Sequence, residues 1–245
     1  MTDLPRFQAK GIFFFADPHL AGSPPGQRLP GFAQQMLDKV AACLEKAREL
    51  DMIPVILGDL FHLPRDNPNS LLVSLIELFR PHCPLVLVGN HDKYQARLTS
   101  DVSLAVLDAA GVTRLMADPG PQALLKVDEA TVLLGASPDM SPLPQEVDPQ
   151  GADVVIWASH HNIGFPDYLD KPVKPREIPG VDWVINGHIH QPQPTVIHGM
   201  TRWANPGSLA RMTFSHRVKE RIPQAAIWTP ACQDSGELKA WTVPH

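Results

Sequence analysis

Cysteine is scarce in this sequence. Cys43, Cys83 and Cys232 are the only three in 245 residues, and no two of them stand in a Cys-x-x-Cys spacing. That excludes a disulfide frame and a zinc ribbon, and is the usage of reduced thiols in a cytosolic protein. Long hydrophobic runs are lacking too. The residues up to Lys10 are polar, and the apolar run from Ile12 to Ala16 is far too short for a signal-peptide core or a membrane span. A soluble, cytoplasmic protein without membrane contact is expected. An excess of positive charge is also missing. The formal net charge is −5, so no global basic field points to nucleic acid, although bound divalent ions would themselves turn a site positive. There is no internal repeat, low-complexity tract or Pro-rich linker; the 26 prolines are scattered and fix turns.

What is present is an ordinary globular composition, 44% hydrophobic and 19% charged, long enough to bury a sizeable core. Gly11–Ala16 reads as a buried strand, followed by a Gly- and Pro-rich loop to Gly31. A helix fits from about Phe32 to Leu50, with Met36, Leu37, Val40, Leu44 and Ala47 on its apolar face. Ile53–Leu57 is a second strand. A second helix begins near Asn67, carries Leu71, Leu72, Leu75, Ile76 and Phe79 inward, and stops at Pro81. Leu85–Val88 is a third strand, and a helix from about Asp101 to Ala110 closes at Gly111. This alternation predicts parallel strands joined by right-handed crossovers. Beyond it, runs near 123–127, 131–135, 153–158, 181–186, 195–198, 224–228 and 238–243 read as strands with little helical periodicity. Two packed sheets with helices outside fit the whole pattern.

Five strand-like runs end in polar clusters: Asp17-Pro18-His19, Gly58-Asp59, Gly89-Asn90-His91-Asp92, Ser159-His160-His161 and Gly187-His188-Ile189-His190. In extended chain, residues i and i+2 point the same way, so the two side chains of Asp-x-His and His-x-His can face one site. Imidazole and carboxylate donors suit borderline divalent ions such as Mn, Fe, Co or Zn, and the lack of thiolates argues against a structural zinc. Two Asp, one Asn and four His exceed the needs of one tetrahedral ion and suffice for two ions sharing a carboxylate. A single such cluster is more often a turn or helix cap than a ligand. Five in order, each on a strand end, are not a coincidence of turns.

The set of five resembles the calcineurin-like metallophosphoesterase superfamily over residues 11 to about 210. The resemblance implies an α/β fold, a four-layer α/β/β/α sandwich of two mixed sheets. It also implies a dinuclear centre in which Asp17, His19 and His190 hold one ion, Asn90, His160 and His188 hold the other, and Asp59 bridges them. His91 is then the acid beside the ions rather than a ligand. Within the superfamily, Gly-Asp-Leu-Phe-His at 58–62, the Asn-His-Asp at 90–92 and Asn205-Pro206-Gly207-Ser208-Leu209 look closest to the SbcD-type DNA-repair nucleases. Those nucleases carry a DNA-capping domain beyond the catalytic core. Here the residues after Ser208 suffice for a few strands, so a single domain without a separate cap is expected.

The chemistry so implied is hydrolysis of a phosphodiester by a hydroxide activated between two ions, Mn being the first expectation, with His91 protonating the leaving oxygen. Asp92 either orients His91 or its loop, or caps the next turn. His160 is preferred over His161 as the fourth-cluster ligand by family pattern. His62 either reaches substrate phosphate or packs against the loop. The segment Thr201–Arg221 holds Arg202, Arg211, Arg217, Lys219 and Arg221 against the single acid Glu220. It is either a phosphate contact, with Arg211 the residue selected for substrate binding, or a solvated charged face. The expected partner is DNA or a small phosphodiester, with a coiled-coil ATPase as a further candidate partner. The alternative is a phosphoesterase for nucleotides, cyclic nucleotides or phosphoproteins.

Overall fold

The computed structural model describes residues 4–25, 31–168, 173–212, 220–231 and 234–244. The chain runs β1 (Arg6–Ala9), β2 (Gly11–Phe15), α1 (Phe32–Glu49), β3 (Met52–Ile56), α2 (Asn69–Phe79), β4 (Leu85–Leu87), α3 (Ser103–Ala109), β5 (Arg114–Met116), β6 (Gly120–Val127), β7 (Ala130–Ser137), β8 (Val154–Ser159), β9 (Trp183–Asn186), β10 (Gln193–His198), β11 (Thr201–Asn205), β12 (Gln224–Ala231) and β13 (Asp234–Thr242). The strands form two mixed sheets, ordered β13-β12-β2-β3-β4-β5 and β1-β6-β7-β8-β9-β11-β10. Strands β2 to β5 pair parallel, as the alternation of strand and helix requires. In the larger sheet β7, β8, β9 and β11 are parallel, and antiparallel β6 and β10 flank them.

Strand β2 shows why the layers stack. All five residues of Gly-Ile-Phe-Phe-Phe are buried, because a parallel strand covered on both faces needs apolar side chains at every position. Phe13 and Phe15 point into a core with Met36, Val40 and Leu44 of α1 and Leu75 and Phe79 of α2. Ile12 and Phe14 point the other way, against Leu125, Leu134, Ile156 and Ile185 of the opposing sheet. Burying a side chain of this size contributes about 1.5–3 kcal/mol.

The far face of the seven-stranded sheet is covered differently. Val155, Trp157, Val184 and Trp203 pack against Leu143, Ile163, Phe165 and Ile178, which lie in loops. Among the described residues all three helices contribute to the other core, so the outermost layer on this side is built of loops. No described helix is long and apolar enough to cross a membrane.

Three strands lie outside the runs expected from sequence. Strand β1 is polar and half-exposed, β5 has three residues, and β11 is masked by the charges around it. Yet β11 is an internal strand: Trp203 is fully buried, and its indole N–H donates to the Arg176 carbonyl at 2.9 Å.

Candidate metal centre

The carboxyl ends of β2, β3 and β4 in one sheet and of β8 and β9 in the other meet at the seam between the sheets. The residues that follow these ends converge. Donor atoms of Asp17, His19, Asp59 and His190 form one group, and those of Asp59, His160 and His188 form a second, each within 4.8 Å. Asp59 belongs to both. Asn90 joins the second group, its Oδ1 lying 3.1 Å from His160 Nε2 and 3.0 Å from His188 Nδ1. The Nε2 atoms of His19 and His190 stand 3.0 Å apart, the spacing of two neighbouring ligands each about 2.1 Å from one ion.

Four of these residues adopt left-handed backbone: Asp17 (φ 48°), His19 (φ 45°), Asp59 (φ 49°) and His188 (φ 67°). Non-glycine residues rarely do so, and Asp and His tolerate it better than most. The conformations are held by cross-links within the cluster. The His188 N–H donates to Asp17 Oδ1 at 3.1 Å and the His91 N–H to Asp59 Oδ1 at 2.8 Å.

Burial sets the charge state. It pushes His190 down to about 4 against the pull of Asp59, and it holds His19 and His188 below the usual imidazole range. All three are therefore neutral ligands-in-waiting. Burial works against protonation of His160 too, but Asp59 and Asp17 outweigh it and raise this group. Burial raises Asp17, and the neighbouring Asp59 carboxylate adds to that. Asp17 is fully buried, yet its Oδ2 has no hydrogen-bond partner, and neither does Nδ1 of buried His19. Paired buried carboxylates with an orphaned oxygen, surrounded by neutral imidazoles, are a donor set that fits divalent cations.

His160 illustrates the fit. Its Nδ1 donates to the Leu57 carbonyl at 2.7 Å, which leaves Nε2 facing Asn90 and, at 3.4 Å, Asp59. Such a carbonyl contact fixes the tautomer of metal-binding histidines. His161 turns away, with Nε2 2.6 Å from the Ser141 carbonyl.

A family model described as calcineurin-like phosphoesterase matches residues 11–192. The chain belongs to the calcineurin-like phosphoesterase family. Such metallophosphoesterases are phosphoester hydrolases that use a dinuclear metal centre, and the two groups sharing Asp59 are the candidate ligands in this one. Comparison with curated protein sequences gives no match. Solved structures with the same fold include sulfate thiohydrolase SoxB of Thermus thermophilus, at 11% identity and TM-score 0.54, covering 99% of this chain and 58% of that one. A 5'-nucleotidase precursor from the same organism matches at 12% identity and TM-score 0.56, over 95% and 54%. The NAD nucleotidase of Haemophilus influenzae matches at 11% and 0.56, over 95% and 50%. The chain thus spans 50–58% of the length of these proteins.

Around the candidate ligands lies a cavity of about 390 Å³, lined by Asp59, Asn90, His91, His188, His190 and Arg221, with Tyr168, Ile189 and Met212 as its apolar side. His91 Nδ1 sits 2.7 Å from the His62 carbonyl, which can only accept, so Nδ1 carries a proton and Nε2 is left for the cavity. The His62 ring stacks on His91 with centroids 5.4 Å apart, and its buried Nδ1 has no partner.

The contacts narrow two sequence expectations. Of the roles open to Asp92, holding the loop is the one they fit. It is fully buried, and its two oxygens accept from the Phe61 and Gly89 N–H groups at 3.2 and 3.0 Å, so it braces the loop. Arg211 donates to the Arg221 carbonyl at 2.9 Å and does not line the cavity; Arg221 does. Arg202 sits beside Trp183 at the amino ends of β9 and β11, the end away from the cluster, while Arg217 and Lys219 lie outside the described residues. The basic segment is therefore not one continuous face among the described residues.

Asn186 and Asn205, at the ends of β9 and β11, brace the cluster. Asn186 Oδ1 accepts from the His161 N–H at 3.0 Å, and Asn205 Nδ2 donates to the carbonyls of Ile189 and Gln191 at 2.8 and 3.1 Å. Asn205 could be found from the Asn-Pro-Gly-Ser motif, whereas Asn186 carries no local signal.

Proposed function

We propose that this chain is a phosphodiesterase working with two divalent ions, with Mn as the expected species, and that its substrate is a nucleic-acid phosphodiester, cleaved in the manner of an SbcD-type DNA nuclease. The observation that carries the reading is the convergence of Asp59 on both donor groups, with His91 on the same cavity wall. When bound, the ions supply Lewis acidity toward phosphoryl oxygen and an acidified water. The rest falls to the side chains. Asp59 fixes the spacing of the two groups, Asn90 adds its Oδ1 to the donors of His160 and His188, and Asp92 keeps the Asn90–His91 loop rigid. His91, its Nδ1–H donated to the His62 carbonyl, turns Nε2 to the leaving oxygen and acts as general acid in its imidazolium form. His62, supplied by the Gly-Asp-Leu-Phe-His block, stacks on that ring and supports the nuclease form of the reading. A coiled-coil ATPase would supply a grip on DNA, and such a protein would work in the cytoplasm.

A second reading, hydrolysis of small nucleotides, draws on the cavity. About 390 Å³ with an aromatic side wall suits one nucleotide, and two of the structural neighbours are nucleotidases by name. Mn-loaded protein assayed on single- and double-stranded DNA, bis-p-nitrophenyl phosphate and nucleoside monophosphates separates the two. Cleavage of the diester and of DNA supports the first; phosphate release from monophosphates with intact DNA would replace it by the second.

A further inference from the structure

Beyond the cavity wall at Arg221, positive charge continues without an ion-paired carboxylate among the described residues. Arg221 is half-buried and wraps the loop after β11: Nη1 donates to the Ser208 carbonyl at 2.5 Å, and Nη2 to Ser208 Oγ at 3.1 Å and the Ala210 carbonyl at 2.7 Å. Its Nε is buried without a partner. Arg211 is tied to the Arg221 carbonyl, and Lys39 of α1 reaches the Leu209 carbonyl at 3.5 Å. Lys39 and Arg221 thus reach one buried loop of three residues, Ser208, Leu209 and Ala210, and Arg211, which follows it in the chain, joins them through the Arg221 carbonyl.

Among the described residues no carboxylate forms an ion pair with any of the three. Asp38, the neighbour of Lys39, is bonded to Gln34. Asp17, whose charge does act on Arg221, is committed to the ion cluster. The cost of this crowding is visible. Burial, then Arg211 and Arg221, bring Lys39 down to about 8, and burial with Arg211 brings Arg221 to about 10. Carbonyls alone explain one cation capping a loop; they do not explain three that repel one another beside a phosphate-hydrolysing cavity. Clusters of Arg and Lys are how proteins hold phosphate oxygens.

We infer that Lys39, Arg211 and Arg221 form a subsite for a second phosphate group of the substrate, adjacent to the one hydrolysed at the ion cluster. The ligand class is a phosphodiester carrying a neighbouring phosphate, as in an oligonucleotide. The term "substrate" rests on the phosphodiesterase reading above; the anion site does not.

The first experiment therefore needs no turnover. Chelator-treated, metal-free protein is titrated with inorganic pyrophosphate by calorimetry, for the wild type, Lys39→Gln, Arg211→Gln and Lys39→Arg. The subsite predicts binding that weakens at least tenfold in each Gln variant and stays within threefold in Lys39→Arg. Equal affinity in all four, or no binding by the wild type, overturns it. The second experiment compares Mn-loaded protein on the dinucleotide TpT and on dinucleotides bearing a terminal phosphate at either end. The wild type should prefer one phosphorylated form, and that preference in kcat/KM should fall about tenfold in Lys39→Gln. An unchanged preference overturns the subsite. If no dinucleotide is cleaved, the phosphodiesterase reading fails and the pyrophosphate titration alone decides the subsite.

Discussion

Gly89→Ala is a one-carbon change whose effect can be worked from the geometry. Elsewhere, replacing glycine by alanine stabilises a protein by ~0.4–1 kcal/mol through the unfolded chain. At position 89 the added Cβ would fall well inside contact distance of Asp59 Oδ1 and of the Asp59 backbone nitrogen, and 3.0 Å from its Cγ. The side-chain oxygen could swing away, but the backbone nitrogen cannot, so the β3 loop must retreat from the β4 loop. Restoring ordinary carbon contacts asks for a displacement on the order of 1 Å. Overpacking of this kind costs about 1–3 kcal/mol, and a 1 Å misplacement of reacting groups costs about 100-fold in rate. Because Asp59 serves both donor groups, both ions should leave together. Metal analysis should find the bound metal falling from two equivalents toward none, and phosphodiester turnover should drop by two orders of magnitude or more. The metal-free protein should melt about 2–10 °C lower. Gly111→Ala is the control: its φ of 68° is strained for alanine, but nothing lies within 4 Å of the new Cβ, so it should melt lower without losing metal. A Gly89→Ala protein that keeps two ions and turnover within threefold of wild type would refute the close-packing argument.

Three further outcomes follow from the same geometry. His160→Ala should lose one ion and its activity while His161→Ala keeps both ions, as read by metal analysis; loss of metal only in His161→Ala would reverse the ligand assignment. His91→Ala should keep near-normal metal content and lose about 10²–10⁴ in kcat, whereas stripped metal would make His91 a ligand. Metal loading near pH 7 should release protons, because in the metal-free cluster His160 and Asp17 are both raised and hold protons that the ions displace. Affinity should accordingly fall with falling pH, by about tenfold per unit for each proton released. Calorimetry in two buffers of different ionisation enthalpy reads the release, and identical apparent enthalpies would sink it.

The candidate ligands were legible in the sequence because each is tied to a strand end by local chemistry: an apolar run, a glycine or other turn residue, then Asp, Asn or His. The parallel half of the smaller sheet was legible for the same reason, since strand and helix periods alternate cleanly through α3. What stayed hidden is what depends on contacts across the chain. Strand β11 reads as part of a basic segment, and only pairing with β9 and β10 makes Trp203 an internal residue. Arg221 was hidden behind Arg211, because a run of basic residues does not say which guanidinium turns inward. Gly58, Gly89 and Gly187 read as turn residues. Their larger role is space, since a Cβ at each would collide with Asp59, His160 or the Leu57 carbonyl. No one-dimensional pattern separates a glycine that turns the chain from one that makes room.

Asp59 gathers these contributions into one argument about why the centre sits at the seam. Its backbone is left-handed, its carboxylate is buried, and burial alone would raise that group, yet His160 and His19 pull it well below the usual carboxylate range. Those two partners come from opposite sheets, β8 and β2. The left-handed turns at Asp17, His19, Asp59 and His188 each cost on the order of 1–3 kcal/mol, and they persist because each is locked by a bond to a residue on another strand end. A slip of one sheet against the other would break the lock between His188 and Asp17 and leave those two turns strained with nothing across the seam to hold them. The strain thus makes sheet register and ligand geometry a single variable: the core that fixes how the two sheets face each other, Ile12 and Phe14 against Leu134 and Ile156, also fixes the distance between the two groups that Asp59 joins.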